Sequence, residues 1–89
     1  MVKVELYTSS ATGMLKIKKD QQAIKNLLEA KGIQYIEYDV ASDQERREEM
    51  KKISGKTVLP QLMIDGKFAG EVEDLQYLEE DNKFIDLFK

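Results

Sequence analysis

The chain has no cysteine, no histidine and no tryptophan, and only one proline, Pro60. Without cysteine there is no thiolate nucleophile, disulfide exchange, zinc–thiolate site or iron–sulfur ligation. Without histidine the side chain that titrates near neutral pH is missing, which excludes Ser-His and Cys-His catalytic machinery. A carboxylate–lysine mechanism remains open. No apolar run approaches the ~18 residues that a membrane-crossing helix needs. The opening stretch Met1-Val2-Lys3-Val4-Glu5 alternates in polarity and cannot be the apolar core of a signal peptide, so a cytoplasmic location is expected. Net charge is −3 and the basic residues are mostly interleaved with acidic ones. That balance opposes a nucleic-acid partner, whose phosphates need clustered Lys and Arg. Lys16, Lys18 and Lys19 form one local basic patch. The carboxylates show no EF-hand spacing and Gly13 belongs to no phosphate loop, so no metal or nucleotide site is expected.

What is present is globular. Hydrophobic residues make up 42% and charged residues 35% of 89 residues, enough for one modest core and a single domain over 1–89. Val2, Val4 and Leu6 alternate with Lys3, Glu5 and Tyr7, a period-two strand. The small polar cluster Thr8 to Gly13 reads as a loop. Ile17, Ile24, Leu27 and Leu28 share a helical stripe that Gly32 closes. Ile36, Tyr38 and Val40 mark a second strand. Ser42 with Glu45 has capping-box spacing and opens a charged helix to about Ile53, with Glu48 and Lys52 spaced as an i,i+4 pair and Gly55 as its stop. Leu59 to Ile64 forms a third strand, Asp65-Gly66 a two-residue hairpin, and Lys67 to Gly70 a fourth strand. The remainder is helical, with a break near Asp81-Asn82.

The order β-α-β-α-β-β-α predicts an α/β fold in which a right-handed crossover makes the first pair parallel and the hairpin makes the last antiparallel. A mixed four-stranded sheet of order 2-1-3-4 between helical layers follows if the third strand returns beside the first. One feature conflicts: Lys3 and Glu5 are too polar for a central strand covered on both faces, which predicts a short or displaced helix there.

The residues carry a family likeness. Leu27 to Tyr35 resembles the end of the first glutaredoxin helix, and Arg47 to Met50 with Ser54 to Gly66 resembles the proline loop and hairpin of that thioredoxin-fold family. The glutaredoxin Cys-x-x-Cys or Cys-x-x-Ser motif belongs between strand 1 and helix 1. Here that position holds Thr8-Ser9-Ser10-Ala11-Thr12-Gly13-Met14, a longer loop without thiols. With Ile17-Lys18-Lys19-Asp20-Gln21-Gln22 and Gly70-Glu71, it resembles a cysteine-free branch, the SH3-domain-binding glutamic acid-rich-like proteins. That resemblance implies a monomeric, redox-inactive adaptor binding a protein or extended peptide. The proline-rich SH3 ligand that members can carry is absent, because Val58-Leu59-Pro60-Gln61 holds one proline and a PPII ligand needs two.

The resemblance also proposes a ligand groove. Only ~5–6% of X-Pro bonds in folded proteins are cis, but the matching proline is cis throughout thioredoxin-like folds. Pro60 would then present the main chain of Leu59 to an extended peptide, or else only shape the turn beside Gln61. Thr8, Ser9, Ser10, Thr12 and Gly13 would face the start of helix 1, where free N–H groups favour an anion. Lys16, Lys18 and Lys19 oppose the helix dipole there, so either the helix begins nearer Asp20 or an acidic group docks. Gly70, Glu71, Glu73 and Asp74 stand at the corner that binds the γ-glutamyl end of glutathione in glutaredoxins. Glu71 replaces a glycine and repels that anionic ligand, and Asp74 is equally suited to capping. No cofactor is expected; glutathione is the one candidate, and the alternative function is an enzyme borrowing the thiol of bound glutathione.

Overall fold

The computed structural model describes residues 2–88. Its elements are β1 (Val4–Thr8), α1 (Leu15–Ala30), β2 (Ile36–Asp39), α2 (Gln44–Ser54), β3 (Gln61–Ile64), β4 (Lys67–Gly70), α3 (Val72–Glu80) and a closing 3₁₀ turn at Phe84–Phe88. The sheet has the order β2-β1-β3-β4, with β1 parallel to β2 and β3 antiparallel to both β1 and β4. This is the glutaredoxin-like arrangement of a mixed sheet between helices. Asp65 and Gly66 both have positive φ, 53° and 79°, the geometry of the tight turn that matches strand twist. Among the described residues, no helix is long and apolar enough to cross a membrane.

Every residue of β1 is buried, so this central strand serves two cores at once. Val4 and Leu6 point to one face and meet Ile24, Leu28, Leu62, Val72, Leu75 and Phe84 from α1, β3, α3 and the closing turn. Tyr7 points to the other and meets Val40, Met50 and Met63 under α2. The polarity of Glu5 does not mean a displaced helix. Glu5 is only 6% exposed, and Arg46 from α2 and Lys3 both approach its Oε2 at 3.9 Å. The covering helix supplies the countercharge.

Three local expectations change. Asp43, not Ser42, caps α2: its Oδ1 accepts from the Arg46 N–H at 3.1 Å, while the Ser42 hydroxyl donates to the Asp39 carbonyl at 3.2 Å. Both residues are good N-caps, and the Asp39 turn claims Ser42 first. Glu48 accepts from Gln44 at 3.3 Å, one turn before rather than one turn after it. Ile36 remains 48% exposed, because β2 is the sheet edge and its first residue projects beyond the core.

Candidate functional site

The N-terminal turn of α1 begins at Leu15, so Lys16 and Lys18 do lie at the positive end of the helix dipole, with Lys19 just beyond the first turn. No side chain caps this end, whose N-cap is Met14. Asp20 offsets one of these charges, its Oδ2 accepting from Lys16 Nζ at 2.8 Å one turn on. That contact, with Glu73 adding to it, raises the Lys16 ammonium above its ordinary pKa.

Opposite this turn lies the segment between α2 and β3. The Leu59–Pro60 peptide bond is cis. The side chain of Gln61 is fully buried and holds the segment from beneath, its Nε2 donating to the carbonyls of Lys56 at 3.0 Å and Val58 at 2.8 Å. Those bonds hold Val58 outward at 47% exposure. Leu59 lies outside the β1–β3 ladder, which begins at Gln61.

The third wall is the β4–α3 corner. Gly70 has φ of 141°, and a Cβ there would meet the Asp74 Cβ at 3.1 Å. Only glycine fits that close approach without strain. It lets Asp74 reach back to accept from the Glu71 N–H at 3.1 Å, which makes Asp74 the N3 half of a capping box whose N-cap is Glu71. Glu71 pairs with Lys56 at 3.6 Å across the corner, and Lys56 lies 5.6 Å from the Phe68 ring centroid.

These three elements enclose an open groove of about 260 Å³. Ile17, Val58, Leu59, Pro60 and Val72 supply apolar surface, and Lys16, Asp20, Glu71 and Glu73 supply charge. Lys16, Leu59, Pro60, Glu71 and Glu73 of the sequence candidates therefore converge. The others do not line it. Thr8 donates through Oγ1 to Glu37 at 2.7 Å, and the Ser9 N–H donates to Gln21 Oε1 at 2.8 Å. Ser10 donates through both its N–H and its hydroxyl to Asp39. The loop's polar groups thus turn toward β2 and α1. Thr12 accepts from the Met14 N–H at 3.2 Å within the exposed loop that also holds Gly13. Gln61 is buried behind the groove, Gly70 is buried at the corner, and Asp74 caps.

Glu73, expected at the corner, lines the groove as well, whereas Ile17, Asp20, Val58 and Val72 are not site residues in the sequence reading. Ile17 was read as part of the core stripe, although starting α1 at Leu15 places it with Asp20 on the side facing Pro60. The Asp39 carboxyl sits below its ordinary pKa, chiefly because the Ser10 hydroxyl and then the Ser10 N–H donate to it. Among the described residues no group of three or more acidic, His or Cys side chains is arranged to hold a metal.

Known proteins share this fold. A profile of the family described as SH3-binding, glutamic acid-rich protein matches residues 2–89. Glutaredoxin 3 of Escherichia coli (strain K12) is 34% identical over 79 residues, spanning 89% of this chain and 88% of its own. The structure of wild-type actin interacting protein 5 superposes with a TM-score of 0.75 at 25% identity, covering 97% of this chain and 96% of that one. A buckwheat glutaredoxin–glutathione complex superposes with a TM-score of 0.75 at 15% identity, covering 97% and 76%. Fold, cysteine-free loop and profile agree, and the chain belongs to the SH3-binding, glutamic acid-rich protein family.

Proposed function

We propose that the protein is a non-catalytic, monomeric, cytoplasmic interaction module that holds an extended segment of a partner protein in the groove between the start of α1, Leu59-Pro60 and the β4–α3 corner. The observation that carries this reading is the pairing of a thiol-free loop with an open, partly apolar groove. Where a glutaredoxin presents cysteine, Ser9 and Ser10 are hydrogen-bonded to Gln21 and Asp39. Leu59, which lies outside the ladder, and the lining residues Ile17, Val58 and Val72 support the reading, in which an extended peptide pairs with the Leu59 main chain and sets its side chains on that apolar surface. The family description, SH3-binding, and the name of actin interacting protein 5 both speak of protein partners and support the reading for this chain.

A glutathione-coupled assay for reduction of a mixed disulfide separates the module from an enzyme that borrows the thiol of glutathione. The expected result is no turnover above the protein-free rate. Measurable turnover that scales with protein concentration overturns the proposal.

A further inference from the structure

We infer that the groove selects a basic extended segment, one that places a Lys or Arg side chain against Glu73 while its apolar residues cover Val58 and Ile17; this rests on the groove reading above and names the chemistry of its occupant. The charges around the groove do not balance. Lys16 and Lys56 are each paired internally, with Asp20 at 2.8 Å and with Glu71 at 3.6 Å. Glu73 is exposed at the mouth, where it also acts on Lys16, so Asp20, Glu71 and Glu73 outnumber the ammonium groups of Lys16 and Lys56. Within the lining, an anionic ligand would have to break one of those pairs to gain a cation and would face Glu73 while doing so, since Lys18 and Lys19 lie outside it. A basic ligand needs no such rearrangement.

The negative surface continues beyond the mouth. Glu73, Tyr77 and Glu80 recur at spacings of four and three residues along α3, so they share one stripe of the helix. With Gln76 they line a second, adjoining depression that shares Glu73 with the groove. Tyr77 is 70% exposed, an uncovered aromatic face between two carboxylates. A cation over such a face gains from the ring quadrupole as well as from the flanking charge. A segment with two basic residues in alternation would set one at Glu73 and carry the second toward Tyr77.

The test titrates isotopically labelled protein with three capped hexapeptides, Ser-Val-Lys-Val-Lys-Ser and its counterparts with Glu or with Thr in place of both lysines. Amide shifts are read at Ile17, Val58, Leu59, Glu71 and Glu73. The lysine peptide should shift these residues and bind about tenfold tighter than the glutamate peptide, since like charges in the contact are penalised. Raising salt from about 50 mM to about 200 mM should weaken it, because these charges are solvent-exposed. Glu73→Gln should weaken the lysine peptide about two- to fivefold and leave the threonine peptide unchanged. Tyr77→Leu, an exposed change, should weaken the lysine peptide alone. Equal binding of all three peptides in the groove overturns the charge inference and leaves the groove reading standing. Tighter binding of the glutamate peptide does the same and moves attention to Lys18 and Lys19. No groove shifts with any peptide overturns both.

Discussion

On the α1 and α3 side of the sheet, Val4, Leu6 and Leu62 meet Ile24, Leu28, Leu75 and Phe84, with Phe84 stacked edge-on against Phe88 at 5.3 Å. On the α2 side, Tyr7, Val40, Met50 and Met63 close a smaller core around a charge cluster. There the Arg46 guanidinium lies 4.0 Å from the Tyr38 ring centroid and also approaches Glu5. Tyr7 and Tyr38 pack with ring centroids 5.3 Å apart. The first face is held mainly by apolar burial, which is non-directional, with one ion pair from Lys31 to Glu79 at 3.0 Å joining the end of α1 to α3. The second adds directional contacts that fix where α2 sits, because a shift of α2 would leave the nearly buried Glu5 with Lys3 as its one remaining cation. The groove lies at the end of the first face, where Val72 of the apolar core reaches the surface beside Pro60.

The largest expected effect breaks the apolar face. Phe84→Ala removes a fully buried ring and should cost about 3–5 kcal/mol in denaturant unfolding, with little dependence on pH. Such a loss is a large part of the stability of a domain this size. Arg46→Ala attacks the other face. It leaves Lys3 as the remaining cation near Glu5 and should cost about 1–3 kcal/mol, since a nearly buried polar group loses a partner. If Arg46→Ala proves as costly as Phe84→Ala, the polar face carries more of the fold than its size suggests.

Tyrosines respond to pH on both faces, since burial also pushes up the phenol of Tyr35, which packs against the first core. Burial first, then the Glu5 carboxylate, pushes the Tyr38 phenol above its ordinary pKa, and burial does the same to Tyr7. A raised folded-state pKa means that this stability is present below the unfolded value and is lost as pH rises through the folded one. Phenolate absorbance should therefore appear at higher pH in folded than in denaturant-unfolded protein, and unfolding should become easier across that alkaline window. Coincident folded and unfolded curves would contradict the α2-side packing. Asp39 has the opposite sign. Its carboxyl is depressed by Ser10, so the contribution is present above the unfolded value and lost as pH falls through the folded one. The smallest effect is Ser10→Ala, which should raise the Asp39 pKa toward the ordinary aspartate value in a carboxyl-carbon titration and leave the core untouched.

The apolar face was readable because its residues repeat with the period of their element: Val4 and Leu6 in a strand, Ile24 and Leu28 in a helix. The hairpin was readable because Asp-Gly tolerates positive φ at both positions. The α2 face was misread for a physical reason. Glu5 is polar in the sequence, and nothing local shows that Arg46, 41 positions later by subtraction of the two residue numbers, comes to meet it. The same limit applies to the groove. Leu59, Pro60, Glu71 and Glu73 are legible through the family resemblance and Lys16 through the basic patch, whereas Asp20 and Val58 are ordinary surface residues until three segments are brought together. Ser9 and Ser10 sit in the expected loop, yet their hydrogen bonds are spent on Gln21 and Asp39, partners that spacing does not reveal.

The central claim is that a cleft placed like a glutaredoxin's ligand site serves here for protein contact rather than glutathione chemistry. Its most direct test is an amide-resonance titration of the labelled protein with reduced glutathione at millimolar excess. The account predicts spectra that stay flat at Leu59, Gln61, Gly70 and Ser9 to Gly13. Saturable shifts clustered at those residues would contradict it and return glutathione to the groove.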